Sequence, residues 1–436
     1  MTGFLAYIPL INRLVAARPA NADAAHPAID VPPVEAHDVE TAAEKRPRTL
    51  KHLLRANHAN HAIIYHDLQF NNHMAHILCS AYLIGADSAH LYKIYERESK
   101  ELEPWRESPE EVTEDDWRTF WGDKHFQRAF VDFFEDSLRL RFGYDWKKTV
   151  EEFLFKGEEP LVNCLIGGLG HPLIHLGYAY ELNSEVIAME ALGMAACQYN
   201  HLHKYTDDPT YTKPSSFSSN SPRGLLDRLA GDDRAAGIAR ADPFEVVENT
   251  LMDKHEALLL EYWNAWTIGG DVTAQFRASQ EAAVDLLVAT VAPGTHAYNF
   301  FLVHVLTTSH AVRVLLPVVP AQFHVKLVRQ WWLLTLIVYL AEKRPRIDRD
   351  NVGSDLKGRT WNYVEDKALR SEWATDSHYV KGIRSMKEAA RTWGDVHDRY
   401  LLAAIRLTRP TARNSSGPVV CCNACGDNSK EWDARP

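Results

Sequence analysis

Helical spacing of apolar residues runs through this chain from about Thr49 onwards. Phe126, Phe130, Phe133 and Phe134 follow at intervals of three and four, which places them on one face of a helix. Alternating strand patterns bounded by turn dipeptides are nearly absent, and no internal repeat is found. The sequence therefore predicts an all-α fold, a single large helical domain built as an irregular bundle.

The domain boundaries are predicted from composition. Residues 1–48 are expected to form a flexible leader, since the Ala-, Pro- and charge-rich segment 17–47 has no helical period. The helical domain is expected over residues 49–408, with a Ser-, Pro- and Gly-rich surface loop at about 205–241. Residues 409–436 are expected to form a flexible tail.

Local signals mark several helices. Asn72 is expected to cap a helix that begins at His73 and ends at Gly85. The segment 113–116 matches a capping box and predicts an amphipathic helix through the aromatic residues that follow it. The apolar run 333–340 is far too short to cross a membrane, so we expect a buried helix there.

Charge and composition limit the partners. A net charge of −10 argues against binding to nucleic acid or to an anionic membrane surface. The N-terminal segment lacks the pattern of a secretory signal, so a cytoplasmic location is expected. The 12 Trp, 17 Tyr and 16 Phe residues would suit a pocket for a flat apolar ligand, although ordinary core packing uses the same side chains.

The six cysteines are too few for a disulfide framework in a chain of this size, which favours a reducing compartment. Three isolated cysteines in apolar helical contexts are predicted to be buried thiols: Cys79, Cys164 and Cys197. The remaining three form a single CxxC-type cluster in the tail, a weak zinc signal: Cys421, Cys422 and Cys425.

Histidines on apolar helical faces are the most informative residues, because a buried neutral imidazole needs a partner for each ring nitrogen. His73 and His76 lie one helical turn apart and could chelate one metal ion. Hydrogen bonds from both rings to backbone carbonyls are the ordinary alternative. His58 lies upstream in the segment NHANH.

A second histidine pair follows a glycine-rich segment in GLGHPLIHLGYAYE. Pro172 suits the first turn of a helix, so His171 is expected at its start and His175 one turn further. Both rings are predicted to point toward one spot. The glycines do not form a dinucleotide-binding fingerprint, and no strand precedes them.

Two further histidines complete the candidate set. His304 lies in the middle of an apolar helix, where an unsatisfied imidazole would be costly, although a core histidine is usually satisfied locally. His378 and Lys381 share a face of a helix that Asp376 or Ser377 can cap. A solvated basic helix start is the ordinary interpretation. The alternative hypothesis is that a carbamylated Lys381 gives the metal an anionic ligand that four neutral imidazoles lack.

Together these segments resemble the questin oxidase-like family, whose fungal members cleave anthraquinones and related polyketides in secondary metabolism. The similarity rests on NHANH, FNNHMAH, GLGHPLIHLGYAYE, FFLVHVLTTS and DSHYVKGIRSMKE, in order over most of residues 50–406. It implies functional roles for His58, His73, His76, His171, His175, His304, His378 and Lys381. Asn71 departs from the pattern where a further histidine is expected, and His310 falls outside it.

The resemblance implies an oxidoreductase that acts on an aromatic polyketide with O2, described either as a non-heme iron oxygenase or as an NADPH-dependent Baeyer–Villiger oxidase. We expect a buried Fe(II) held by His171, His175, His304, His378 and carbamylated Lys381. His73 and His76 are the alternative donors. His58 or Tyr178 is expected to deprotonate the substrate. The alternatives are a reaction driven by external NADPH and a non-catalytic polyketide- or metal-binding protein.

Overall fold

The computed structural model describes residues 28–238, 251–294, 298–409 and 420–421. Its helices are α1 (Lys45–Asn60), α2 (Met74–Leu83), α3 (Ser88–Glu98), α4 (Gln127–Leu140), α5 (Trp146–Phe155), α6 (Gly167–Leu182), α7 (Glu185–Cys197), α8 (Lys204–Asp207), α9 (Pro222–Ala230), α10 (Leu251–Ala265), α11 (Val272–Val288), α12 (Phe300–Leu315), α13 (His324–Ala341), α14 (Trp361–Arg370), α15 (Ser377–Trp393) and α16 (Arg399–Leu407). The predicted predominantly helical single domain is confirmed.

The strands of the described ranges are two residues long: β1 (Ile64–Tyr65), β2 (Phe70–Asn71), β3 (Tyr298–Asn299) and β4 (Val420–Cys421). β1 pairs antiparallel with β2, with Ile64 opposite Asn71. β3 pairs in parallel with β4, with Tyr298 opposite Val420. These short pairs hold chain segments beside the ends of helices and add no sheet layer to the bundle.

Four helices form the centre of the bundle. α6 packs against α12 and α2, while α15 packs against α2 and α12. α7 covers the far side of α6. Residues in the middle of α6 and α12 are buried on every side, which explains why these two helices lack a clear polar face.

Side-chain caps fix where the central helices begin. The Asn72 side chain accepts a hydrogen bond from the Met74 N–H, although α2 begins at Met74 with His73 as its N-cap, one residue later than predicted. Asn299 caps α12 through the Leu302 N–H. Asp376 caps α15 by accepting hydrogen bonds from the backbone of the second and third helical residues. These caps set the position of each histidine along its helix.

The core behind these helices is rich in tryptophan. Trp331 and Trp332 on α13 are fully buried and pack near Trp266, and the apolar run 333–340 is buried in the same helix as predicted. Cys79, Cys164 and Cys197 are buried free thiols, also as predicted. Within the described ranges, no helix combines the length and apolarity needed to cross a bilayer.

Three predicted irregular or helical segments differ from the structure. Residues 28–44 of the expected flexible leader pack on the core, with Val39 buried and hydrogen-bonded to the end of α6. The expected surface loop contains α8 and α9, and α9 buries three leucines: Leu225, Leu226 and Leu229. The capping box at 113–116 leads into turns instead of a helix. Residues 1–27 and most of the predicted tail lie outside the described residues.

A buried ion pair joins α15 to α6. Arg384 and Glu181 are hydrogen-bonded, and their side chains are 3% and 2% exposed. Burial raises the pKa of Glu181, but the charge of Arg384 outweighs it and the pKa falls to about 2. Removing one partner would leave the other charge buried and uncompensated.

We predict that Glu181→Gln lowers the free energy of unfolding by about 3 kcal/mol at neutral pH, measured by urea denaturation. Asp366→Asn, which breaks an exposed pair with Arg370, serves as the control and should cost less than about 1 kcal/mol. A depressed carboxyl pKa stabilises the fold above its unfolded value of about 4.3. The difference between wild type and Glu181→Gln should therefore shrink as the pH falls from about 4 toward 2. Equal stability at neutral pH would contradict this account.

Candidate functional site

Four imidazoles from different helix ends or faces form a closed cluster at the centre of the bundle. This cluster, called the histidine ring below, consists of His73, His171, His304 and His378. The His73 ring centroid lies 4.8 Å from that of His171 and 4.7 Å from that of His378. His304 completes the ring, 4.9 Å from His171 and 5.1 Å from His378. The structure therefore brings together residues separated by more than 300 positions in the chain.

Backbone carbonyls fix which nitrogen carries the proton in two of the four imidazoles, those of His171 and His304. His171 donates from Nδ1 to the Gly168 carbonyl at 2.6 Å, and His304 donates from Nδ1 to the Phe300 carbonyl at 2.8 Å. The His73 ring bonds the backbone of Asn71. Since a neutral imidazole has one N–H, the Nε2 atoms of His171 and His304 carry lone pairs and no proton.

These Nε2 lone pairs face the centre of the ring. The Nε2 atoms of His73 and His171 lie 3.0 Å apart, and the His171 nitrogen carries no proton because that ring donates from Nδ1. The Nε2 of His378 is buried and has no hydrogen-bond partner. Two sets of three histidines, each including His73, present ligand atoms that lie within 4.8 Å of one another. A metal ion placed between these nitrogens could be bound by several of them at once.

Burial keeps these imidazoles neutral. Desolvation, and after it the charge of Lys381, lowers the pKa of His73, His304 and His378 well below the usual value. The same causes lower the pKa of His171 to about 3. Neutral imidazole is the form that binds metal ions.

Lys381 is fully buried beside the ring. Its Nζ lies 3.4 Å from the His304 Nε2, and its side chain is 0% exposed. Burial lowers the pKa of Lys381 to about 7, against an opposing effect of Asp376. The predicted solvated helix start is therefore wrong for this lysine, which lies in the protein interior with its amine beside four imidazoles.

The prediction that the rings of His171 and His175 point toward one spot is wrong for His175, which does not join the histidine ring. Its Nδ1 lies 2.8 Å from the His76 Nε2, and its Nε2 lies 3.0 Å from a Glu190 carboxylate oxygen. Both nitrogens of His175 therefore have hydrogen-bond partners, and His76 lies between this residue and the histidine ring. His73, treated as an alternative donor from sequence, lies in the ring instead.

His58 and Tyr178 do not contact the ring. His58 lies between two carboxylates, 3.1 Å from Glu190 and 3.0 Å from Glu135. Burial lowers the pKa of His58, but those hydrogen bonds outweigh it and raise the pKa to about 9. His58 is therefore charged at neutral pH and is not a free base beside the substrate. The Tyr178 hydroxyl is buried and bonds Ser80, and burial raises its pKa.

A left-handed turn presents His171 to the ring. Gly168, Leu169 and Gly170 have φ values of 54°, 57° and 74°, so three consecutive residues adopt the left-handed conformation. A Cβ at Gly170 would lie 2.4 Å from the Thr308 Cγ2. The turn directs the Gly168 carbonyl back onto His171, which explains the glycines that precede this histidine.

A cavity of about 280 Å³ reaches the ring from one side. His73 and His171 line its inner end. Phe300 also lines it, and its ring packs at 4.8 Å on His304 and 4.6 Å on His378. Apolar and aromatic side chains cover much of the wall, with polar groups at the remaining positions: Phe70, Phe301, Leu334, Gln69, Lys124, Gln198, Tyr199 and Asn200. This lining of aromatic and polar side chains suits a partly polar aromatic molecule.

Sequence reasoning missed Glu190, Gln198 and Phe300. Glu190 is a buried acid in the otherwise apolar segment of α7, and a lone acid in such a segment was the available signal. Gln198 donates to the Asn71 side chain at 2.9 Å, so the residue that departs from the family pattern has a defined partner at the cavity wall. His310 is bonded by Arg384 away from the ring, in agreement with its exclusion.

Comparison with known proteins gives consistent matches. Residues 70–386 match the questin oxidase-like family. The chain is 25% identical to the Baeyer-Villiger monooxygenase AacuH of Aspergillus aculeatus, over 83% of this chain and 80% of that protein. It is 24% identical to the questin oxidase of Aspergillus fumigatus, over 77% of this chain and 79% of that protein. The Baeyer-Villiger oxidase AgnL3 of Paecilomyces divaricatus is 30% identical over 33% of this chain.

We predict that Gly170→Ala destabilises the protein by about 2 kcal/mol or more, through its positive φ and its contact with Thr308. Thr308→Ser removes the Cγ2 atom that the new Cβ would meet. The double variant Gly170→Ala/Thr308→Ser should therefore lose less free energy of unfolding than the sum of the losses in the two single variants. Thermal and urea unfolding of all three proteins would measure the coupling, and strict additivity would contradict the predicted contact.

Proposed function

This chain belongs to the questin oxidase-like family and is an oxidoreductase, and we propose that it cleaves a ring of an anthraquinone or related polyketide in an iron-dependent reaction with O2. The proposed setting is fungal secondary metabolism, as the names of the relatives suggest for those proteins. The family membership removes the non-catalytic alternative. Iron dependence, substrate class and the residues that carry them are argued below from the site.

The observation that carries the proposal is the ring of inward-facing Nε2 atoms. Two imidazole nitrogens bound at about 2.1 Å and at right angles to one cation stand about 3 Å apart. The His73 and His171 Nε2 atoms lie 3.0 Å apart. A divalent cation at this position would bond both nitrogens. The donor set therefore fits a metal ion, and imidazole with carboxylate-type ligands suits Fe(II).

The residues that would hold the ion are His73, His171, His304 and His378, with Lys381 as the fifth. His73 takes the role that the sequence suggested for His175. The carbonyls of Gly168 and Phe300 hold two of the donor rings in the metal-binding tautomer, as outer hydrogen bonds do in many metal sites. His76 lies next to this set, with an unpartnered buried Nδ1.

Lys381 would supply the missing negative charge as a carbamate. Four neutral imidazoles give a divalent cation no charge compensation, and the Asp376 carboxylate is already used to cap α15. The neutral amine of Lys381 can add to CO2 with loss of one proton, which places a carboxylate-like group at the end of the side chain. Its burial beside His304 supports this modification, because an unmodified ammonium would repel the cation.

Fe(II) in this position would supply an open coordination position at which O2 can react. The chain's own residues would bind and orient the substrate. The aromatic wall of Phe70, Phe300 and Phe301 can stack a flat polycyclic ring and exclude water from it. Lys124 at the same cavity would favour an ionised phenol or hydroquinone, the electron-rich form that O2 attacks most readily. Scission of a C–C bond beside the ring carbonyl would then give a ring-opened acid.

A Baeyer–Villiger reaction with external NADPH is the second candidate, because several relatives carry that name. In that reaction the histidines would act only as acids, bases and structural groups. The two candidates differ in what they need. Iron-loaded protein mixed anaerobically with chemically reduced questin and then exposed to O2, without NADPH, should form ring-opened product only under the iron-dependent proposal.

We predict that His304→Ala and His378→Ala each lose bound iron, measured by metal analysis, and lose turnover by more than about 100-fold. The reason is the loss of one of four imidazole donors at the ring. His125→Ala removes an exposed histidine paired with Asp123 and is the matched control, which should keep full iron content. Thermal unfolding would confirm that each variant is folded. Full turnover by iron-free protein would refute the mechanism.

We predict that gently handled native protein carries one CO2 at Lys381, detected by intact-mass and peptide mass spectrometry. Lys381→Ala should lose this mass and most of its iron, and added propionate should restore part of the iron binding by occupying the vacated space. Lys387→Ala, on the same helix but paired with Glu365, is the control and should retain both. Full iron binding by Lys381→Ala without propionate would contradict the ligand role.

A further inference from the structure

Two amide side chains lie in contact on the wall of the cavity. Asn71 is the second residue of β2 and Gln198 caps the end of α7, and both line the cavity. Each residue is only 6% exposed. The Gln198 Nε2 donates a hydrogen bond to the Asn71 Oδ1 at 2.9 Å. Amides buried to this degree are stabilised where their donors and acceptors find partners.

The amide pair lies beside the two imidazoles that line the cavity. The His73 ring bonds the backbone of Asn71, two residues earlier in the chain. The Gln198 amide packs on Gly168, where an added Cβ would lie 2.5 Å from the Gln198 Cδ. The carbonyl of that glycine accepts the hydrogen bond from His171. A molecule that reaches His73 and His171 through the cavity therefore also meets the amide pair.

The hydrogen bond between the two amides determines what they offer to a ligand. A primary amide has one carbonyl oxygen and one NH2 group. Because the Gln198 NH2 group donates to the Asn71 carbonyl, this pairing leaves the Asn71 NH2 group unused. Gln198 also orients that group, since a flipped Asn71 amide would bring two NH2 groups face to face. Asn71 thus provides an oriented donor on the cavity wall.

An NH2 donor of this kind selects an oxygen atom that carries no proton. The ring carbonyl of a quinone has such an oxygen, and so has the ionised hydroxyl that replaces it in the hydroquinone. The hydrogen bond is stronger to the ionised oxygen because that acceptor is charged. Phe70, Phe300 and Phe301 line the same cavity and can contact the faces of aromatic rings. The wall therefore combines apolar surface for the rings with a donor for one ring oxygen.

We propose that Asn71 determines specificity by donating a hydrogen bond from its NH2 group to one ring oxygen of the substrate, and that Gln198 is the positioning residue that orients this donor. The inference rests on the proposed function for the substrate class. It adds a rule of recognition to that function. The ring oxygen bound by Asn71 lies beside His73 and His171, so the C–C bonds next to that oxygen are the ones brought to the histidine ring.

Two soluble flat probes, one with ring carbonyls and one without, test this inference: anthraquinone-2-sulfonate and anthracene-2-sulfonate. Their affinities for the iron-loaded protein are measured anaerobically by isothermal titration calorimetry, so that no turnover is involved. We expect wild type to bind the quinone about 10-fold more tightly, as one hydrogen bond to a buried donor would give. Asn71→Leu should bind the two probes with affinities within about 2-fold of each other.

Gln198→Met keeps the approximate length of the side chain and removes the hydrogen bond to Asn71. The preference for the quinone should fall about 5-fold, and Gln198→Met added to Asn71→Leu should not lower it further, because Gln198 acts through Asn71. Asn60→Leu and Gln322→Met change exposed amides outside the cavity and should keep the wild-type preference. The ratio of the two affinities is the readout, since a general loss of packing would weaken both probes alike.

Infrared difference spectra of the bound quinone give a second readout. A hydrogen bond lowers the stretching frequency of the carbonyl that accepts it, so a carbonyl band of the quinone should shift to lower frequency on wild type. Asn71→Leu should lose this shift, and Asn60→Leu should retain it. Iron content is measured on every variant, so that a change in the metal site is not mistaken for the loss of the donor.

Equal affinity of wild type for the two probes, or a quinone preference that persists in folded Asn71→Leu, would overturn the inference alone. If thermal unfolding shows that Asn71→Leu or Gln198→Met does not fold, the wild-type infrared spectrum decides, and an unshifted carbonyl band would overturn the inference. Wild type that binds neither probe would count against the proposed function itself, and the inference would fall with it.

Discussion

Buried imidazoles that donate Nδ1–H to backbone carbonyls must turn Nε2 toward whatever lies opposite, and here they turn toward one another. The carbonyls of Gly168 and Phe300 impose this on His171 and His304. The neighbouring elements hold the imidazoles in this orientation. A left-handed turn brings one carbonyl into position, and an asparagine cap sets the start of α12. Burial keeps the rings neutral, so the site retains a concentrated set of lone pairs.

The helical class was predictable because three- and four-residue spacing extends over most of the chain, and the buried run in α13 was clear from its length. Composition gave wrong predictions for the segment before α1 and for the segment that contains α9. Val39 and its neighbours pack on the core despite an Ala- and Pro-rich context, because backbone hydrogen bonds to the end of α6 hold them there. α9 was hidden by flanking serines and prolines, although its three leucines have helical spacing.

Most of the candidate site was identifiable from sequence, but the roles within it were not. His171, His304, His378 and Lys381 were named correctly as residues that converge. His73 and His175 were exchanged, because helical spacing fixes only which residues share a face and cannot show what each ring meets. His175 lies away from the histidine ring and is hydrogen-bonded to Glu190. Contacts between separate helices such as α6 and α7 leave no local pattern in a sequence.

Phe300 covers one side of the histidine ring. Its ring lies over His304 and His378, whereas His73 and His171 are open to the cavity. Access to the histidines is therefore from one side: a molecule in the cavity would meet His73 and His171, while the phenyl group screens the other two imidazoles from it.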